Sequence, residues 1–430
     1  MNKVKNLLKL LPLLLLVNNL SVAQSQTTAI KAGFLFDTES GTFIQDQLIL
    51  IEQGKILSIS KIGQSIKADK VIDLSDAWVL PGFIDLHVHL EGESSPSRYL
   101  ERFTKNQADI AYDAAMYAEK TLLAGFTTVR DLGGSGVNTA LARAVEMRKV
   151  DGPRIYSAGK AIATTGGHAD PTNGFRPDLV GDPGPKEGVI NSREDARKAV
   201  RQRYKNGAQV IKITATGGVL SLAKSGMAPQ FTQDEIEGIV ETANDLGMVT
   251  AAHAHGAEGM KRAVLAGINS IEHGSIMSEE VMDLMVKHGT YYVPTLSAGI
   301  FTTEKADIKG YYPEIVVPKA KYVGAQMQGT FKKAYDKGVK IAFGTDSGVS
   351  PHGDNAKEFQ YMVEAGMSPK DALLSATIEA SKLLRAEDEF GSIREGLSAD
   401  IVAVKSNPLT DVKSLQQVSF VMKKGDIYKQ

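Results

Sequence analysis

Four hundred and thirty residues, 43% hydrophobic and 23% charged, make a chain long enough to bury a sizeable core and exclude the disordered, collagenous and coiled-coil classes. Forty-nine Lys and Arg against 50 Asp and Glu leave a formal net charge of −1, with no basic run outside the extreme N-terminus, so no nucleic acid partner is expected. Cysteine is absent, which excludes disulfides, zinc–thiolate and iron–sulfur sites and thiol nucleophiles; any metal must sit on His, Asp, Glu or Lys.

The chain opens with Lys3, Lys5 and Lys9, a Leu-rich run from Leu10 to Val17 and the small residues Ser21-Val22-Ala23. That is the layout of a signal peptide over residues 1–23, cleaved after Ala23. Pro12 and Asn18-Asn19 interrupt a run far shorter than the about 20 apolar residues of a membrane span. The expectation is an exported protein, periplasmic or secreted, with no membrane span after cleavage. Residues 24–80 then alternate apolar and polar positions in short runs, Ala29–Phe36, Gln47–Ile51, Ile56–Ile59 and Val71–Leu74. The same texture returns over residues 387–430, at Ala399–Val404 and Val418–Met422. Chain ends tend to lie close together, so these stretches predict a small β-sandwich built from both termini.

Between them, residues 81–386 alternate short apolar strands with amphipathic helices, an α/β pattern. The expected strands are Phe83–His89, Thr127–Asp131, Arg154–Gly159, Gln209–Thr214, Met248–His253, Ile268–His273, Thr290–Leu296 and Val339–Asp346. Ser192 and the capping box Thr232-Gln233-Asp234-Glu235 mark helix starts; Asn206-Gly207 and Gly247 mark stops. Eight such units in about 300 residues predict a (β/α)8 TIM-like barrel. The first strand ends in histidines rather than a glycine-rich phosphate turn, which argues against a doubly wound sheet.

Strand ends carry the chemistry of such barrels. Alternation puts His87 and His89 on one face of the first strand, opposite Ile84, Leu86 and Val88. His253 and His255 close the fifth strand, His273 the sixth and Asp346 the eighth, each before glycine, alanine or serine. Five of eight histidines at strand ends, with a carboxylate and no thiolate, suit Zn²⁺, Mn²⁺ or Fe²⁺. Lys212, flanked by Ile211 and Ile213, points into the barrel. There it is either salt-bridged to a carboxylate or deprotonated enough to take up CO₂, giving an anionic carbamate able to bridge two metals. His288, in the last turn of a helix, reads as a cation complementing the dipole. Tyr291 and Tyr292 occupy opposite faces of the seventh strand, so at most one faces the interior.

The ordered set His87-x-His89, Lys212, His253, His273 and Asp346 resembles the binuclear branch of the amidohydrolase superfamily. The likeness includes the approach Val79-Leu80-Pro81-Gly82-Phe83-Ile84-Asp85 and the exit Gly391-Ser392-Ile393-Arg394-Glu395-Gly396. It implies that His87, His89 and Asp346 hold one divalent metal, His253 and His273 the other, and that N-carboxylated Lys212 and a hydroxide bridge the pair, most simply two Zn²⁺. His253 and His255 share a strand face; the family pattern favours His253 as the ligand and leaves His255 to substrate. It also implies that Asp346 takes the proton of the attacking water and gives it to the leaving amine.

Ala215-Thr216-Gly217-Gly218-Val219, Thr165-Gly166-Gly167-His168 and Ile271-Glu272-His273-Gly274 look like the Xaa-Pro dipeptidase and Lys/Arg carboxypeptidase branch, whose members also hydrolyse N-acyl amino acids. The implied substrate is a small molecule, a dipeptide or an N-acyl amino acid. Its free carboxylate would need donors, and His168, His255, Arg130 and Lys224 are the candidates, with Gly218, Val219 and His352 also lining the pocket. Arg130-Asp131 reads equally as a strand-end ion pair, and Lys224 as a solvated loop charge. Relatives are often homo-oligomers. Two rival readings stand beside this one: a cyclic amide or lactone hydrolase of the imidazolonepropionase type, and an exported binding protein without turnover.

Overall fold

The computed structural model describes residues 26–63, 67–223 and 225–430; the expected signal segment 1–23 and Lys224 lie outside them. Sixteen strands are formed among the described residues. Those of the N-terminal part are β1 (Thr27–Asp37), β2 (Thr42–Glu52), β3 (Lys55–Lys61) and β4 (Lys70–Pro81). The central part contributes β5 (Phe83–Val88), β6 (Phe126–Asp131), β7 (Arg154–Ser157), β8 (Ala163–Thr164), β9 (Val189–Ile190), β10 (Val210–Thr214), β11 (Val249–Gly256), β12 (Ser270–Ile276) and β13 (Tyr291–Val293). The chain ends with β14 (Ile401–Val404), β15 (Phe420–Lys423) and β16 (Asp426–Lys429).

Both termini share one sheet, in the order β16-β15-β14-β4-β1-β2-β3. Its hydrogen bonding is continuous rather than split into two facing sheets, because the long β4 pairs with β1 along one edge and with β14 over Trp78–Pro81. The β1–β4 register slips at Gly33, where a Cβ would fall 2.1 Å from the carbonyl oxygen of Ser75; only glycine permits that approach. Ile30, Ile49, Ile72, Val79, Ile401 and Phe420 form a core of this unit's own.

The central part is α/β. Strands β5-β6-β7 and β10-β11-β12-β13 form two parallel sheets, with helices between successive strands. Backbone hydrogen bonds lace them on both flanks. Gln209 N donates to Ser157 O and Ile162 N to Lys212 O on one side, and Ala342 N to Tyr292 O, Leu86 N to Phe343 O and Asp346 N to His87 O on the other. Seven of the eight expected strands form. The eighth segment, Val339–Asp346, lies where expected but makes only the isolated bridge Ile341 to Tyr292, and ends in a left-handed residue, Asp346 (φ 58°), that no regular ladder accommodates. The seventh strand stops at Val293, because Thr295 turns left-handed (φ 51°) and caps the helix Leu296–Lys305.

The helix signals behave as their chemistry requires. Glu235 reaches back to the amide of Thr232 at 2.8 Å, closing the capping box, and the Ser192 hydroxyl accepts from Asp195 N at 3.1 Å. Along β10, Ile211 and Ile213 pack into the large core beneath the helices. Val210 instead joins Ile84, Val249 and Ala251 in a smaller inner cluster, so Lys212 and Thr214 face the interior. Tyr291 belongs to that inner cluster and Tyr292 to the outer core. No helix among the described residues is long and apolar enough to cross a membrane.

Candidate metal centre and active site

The C-terminal ends of β5, β10, β11 and β12 and the turn at Asp346 deliver six donor side chains to the floor of one cavity of about 730 Å³. These are His87, His89, Lys212, His253, His273 and Asp346, with His255 beside them. His87, His89 and Asp346 offer ligand atoms within 4.8 Å of one another. His89 Nε2 stands 3.3 Å and His87 Nε2 3.6 Å from Asp346 Oδ1. Two donors about 2.1 Å from a tetrahedrally coordinated ion are separated by about 3.4 Å, so this spacing is that of co-ligands. Asp346 Oδ1 is buried with no hydrogen-bond donor among the described residues, an omission that would be costly unless a cation supplied the partner.

The ring nitrogens facing away from this cluster are engaged. His87 Nδ1 donates to Glu272 Oε2 at 2.8 Å, and His89 Nδ1 donates to Gly133 O at 2.7 Å. His273 Nδ1 pairs with the Thr295 hydroxyl at 2.8 Å and His255 Nδ1 with the Ser275 hydroxyl at 2.9 Å. The carboxylate and carbonyl acceptors fix the tautomers of His87 and His89 and aim their Nε2 lone pairs inward, while the hydroxyls hold the ring orientation of His273 and His255. His253 is held the other way round, Nε2 donating to Gly217 O at 3.1 Å, which leaves Nδ1 free. Ring centroids place His273 4.6 Å from His253 and 4.8 Å from His87, so the two groups of donors meet at His273.

Electrostatics agree with a cation-binding floor. Burial, and then the charge of Lys212, hold the pKa of His87 well below the usual imidazole range. Burial and neighbouring rings do the same for His253 and His273, keeping all three neutral and able to ligate. Burial opposes protonation of His89, but Asp346 outweighs it and raises its pKa; burial likewise opposes ionisation of Asp346, and His87, His89 and Lys212 outweigh that. Lys212, its ammonium 3.3 Å from His87 Nε2, is lowered by burial to about 8 despite Glu272 and Asp346. Burial thus favours the neutral amine of Lys212 more than water does. His273, Thr295 and Asp346 all hold positive φ, 68°, 51° and 58°, at a cost of about 1–3 kcal/mol each that the surrounding packing must offset.

The pocket residues divide. His168 lines the cavity, stacked 4.4 Å from His253; its Nδ1 is buried without a hydrogen-bond partner among the described residues, and burial lowers its pKa to about 3. Val219 lines the cavity, and Gly218 lies against the His168 ring, where a Cβ would approach to 2.1 Å. His352 does not reach the cavity. Its Nε2 bonds Gly92 O at 3.0 Å and its ring packs on Tyr117, because the loop after Asp346 folds back beneath residues 90–93. Arg130 is fully buried outside the cavity and pairs with Glu272 at 2.8 Å rather than with Asp131, so it cannot meet a substrate carboxylate. His288 ends the helix Glu279–His288, as expected.

Sequence reasoning missed the groups that hold the ligands. Asp85 accepts from His87 N, Thr345 N, the Thr345 hydroxyl and Asn355, tying β5 to the Asp346 turn. Glu272 bridges His87 and Arg130. Alternation of Ser270-Ile271-Glu272 along β12 was the available sign that Glu272 points inward. The cations Arg98, Arg102 and Lys160, which line the cavity together with Asp170 and Glu187, come from segments without any motif.

A profile described as "Amidohydrolase family" matches residues 78–428. Over 371 residues the chain is 33% identical to the ochratoxinase of Aspergillus niger, covering 82% of this chain and 75% of that protein. The solved structure of a Xaa-Pro dipeptidase with methionine bound in its active site superposes with a TM-score of 0.92 at 52% identity, covering 94% of this chain and all of that one. A prolidase complexed with N-methylphosphonate-L-proline superposes with a TM-score of 0.85 at 31% identity, again covering 94% and 100%.

Proposed function

The chain belongs to the amidohydrolase family, as a metal-dependent hydrolase of C–N bonds, and from that premise we propose that it cleaves the amide to a C-terminal amino acid in dipeptides or N-acyl amino acids. The observation that carries this reading is the floor of the cavity. Imidazoles, a carboxylate oxygen without a hydrogen-bond donor among the described residues and a lysine with lowered pKa converge there, in a cavity also lined by Arg98, Arg102 and Lys160. The methionine and prolyl phosphonate of the two solved relatives are amino-acid-like ligands, which supports the choice of leaving group.

In this reading the laced strands close as a (β/α)8 barrel, with Val339–Asp346 as its eighth stave. His87, His89 and Asp346 would hold one divalent ion and His253 with His273 the second, while Lys212, carboxylated by CO₂, would bridge them. Zinc suits this nitrogen and oxygen donor set. Bound, the ions supply Lewis acidity and lower the pKa of the attacking water. Asp346 accepts the proton of that water and delivers it to the leaving amine nitrogen. Glu272, through His87, and Thr295, through His273, keep the rings aimed. His168, His255 and the Val219 loop receive the leaving amino acid, and Val323, Met327 and Ala298 give the cavity its apolar side. Export, with cleavage after Ala23, completes the proposal; N-terminal sequencing of the mature protein tests it.

The test of function is release of free amino acid from a panel of dipeptides and N-acyl amino acids, run beside cyclic amides and lactones. Turnover of the linear panel with a free carboxylate is expected. Activity confined to ring substrates would overturn the reading, as would a metal-replete preparation that binds these ligands and hydrolyses none.

A further inference from the structure

The loop after β10 forms part of the cavity wall through Val219, Leu220, Ser221 and Leu222. It is held from behind by one cation. Lys319, two residues into the helix Val317–Asp336, donates to Gly218 O at 3.2 Å, Ser221 O at 2.6 Å and Ala223 O at 2.9 Å, and Tyr99 adds a hydroxyl donor to Leu220 O at 2.8 Å. No carboxylate among the described residues pairs with Lys319. A half-buried ammonium given carbonyl partners only is unusual, since buried cations are normally matched by anions.

The carbonyls it collects have a consequence on the other side of each peptide. All described peptide bonds are trans, so an amide N–H points opposite to the C=O it shares a plane with. The N–H groups that share a peptide with the Gly218 and Ser221 carbonyls, those of Val219 and Leu222, accordingly face away from Lys319, and the Ser221 N–H faces away from Tyr99, which holds Leu220 O. None of these three donates to an acceptor among the described residues. Val219 is buried at the cavity wall, and its N–H has no acceptor among the described residues. Successive unpaired N–H groups backed by a positive charge are a receptor for an anion.

We propose that Lys319 is a specificity-positioning residue: by gathering the carbonyl oxygens of Gly218 and Ser221 it turns the N–H groups of the same loop into the cavity, where they receive the carboxylate of the leaving amino acid. This rests on the proposed substrate class. Lys319 itself touches no reacting atom; it acts through the loop.

The test compares wild type, Lys319→Met and Lys319→Arg as metal-loaded enzymes. The substrate is the best-turned-over member of the dipeptide and N-acyl panel, offered as free acid and as C-terminal carboxamide. Lys319→Met should raise KM for the free acid about tenfold, leave kcat within about threefold, and leave KM for the carboxamide near the wild-type value, with Lys319→Arg restoring most of the difference. Equal loss on acid and carboxamide, absence of any effect, or failure of arginine to restore a folded variant would overturn the inference while leaving the substrate class intact. Wild-type enzyme that releases no amino acid from any panel member would overturn both.

Discussion

Glu272→Gln is the substitution whose consequences the geometry fixes most tightly. Glu272 is fully buried between Arg130, at 2.8 Å from Oε1, and His87, at 2.8 Å from Oε2. Arg130 also donates to Leu86 O and the Ser270 hydroxyl, and Glu272 is the carboxylate it pairs with among the described residues. Glutamine keeps the shape and removes the charge. If its oxygen stays on Arg130, its NH₂ faces His87 Nδ1, and that nitrogen must become an acceptor. The ring proton then moves to Nε2, the atom that points at Asp346. Leaving a buried guanidinium without its carboxylate costs about 3–5 kcal/mol, a large fraction of the about 5–15 kcal/mol that holds a typical domain together. Loss of such a ring-orienting partner weakens a metal site about 10- to 100-fold. The assays are urea unfolding of the metal-free protein and metal content after dialysis against a graded chelator. A variant as stable as wild type that also retains metal equally well would refute the argument.

Asp346→Asn should keep the fold and lower turnover by about 10²–10⁴-fold, measured as released amino acid under saturating metal; near-wild-type rates would remove Asp346 from proton transfer. Lys212→Ala should lose most bound metal and activity and regain part of both with millimolar acetate or propionate, whereas unchanged metal content would contradict the bridging role. Burial raises the pKa of Glu358 to about 7 from an ordinary value near 4.5, so the unfolded chain releases this proton at lower pH than the folded one. The stability it contributes is present at low pH and is lost as pH rises from about 4.5 through 7. Against Glu358→Gln, urea unfolding should therefore show wild type losing about 2–3 kcal/mol across that window, and a constant difference would contradict the burial. Gly218→Ala should push the His168 ring aside and lower kcat/KM with metal content unchanged; full activity would show that the contact is slack.

Much of the site was legible because period-2 alternation and strand ends are local properties. The His87-x-His89 pair, Lys212 between two isoleucines and Asp346 before a loop all declare themselves within a few residues. What escaped depends on backbone geometry that no period reports. Along β12, alternation directs Ser270 and Glu272 inward, but nothing local shows that Glu272 meets His87 and Arg130 of other strands; His273, named from its place at the strand end, reaches the cavity with a left-handed φ that alternation does not report. His352 misled because proximity in sequence to Asp346 says nothing of the direction in which a loop folds. Arg130 misled because its partner, Glu272, is distant in the chain. The β-rich termini were recognisable as one unit, but its single sheet depends on the length of β4 and the close approach at Gly33.

Metal stoichiometry titrated against activity bears most directly on the whole account. Apo-protein prepared by chelation should be inactive on the linear panel and should regain amino-acid release in proportion to added Zn²⁺, saturating at two equivalents per chain, with His87→Ala and His253→Ala each losing one. Full turnover by protein carrying no stoichiometric divalent ion would contradict it.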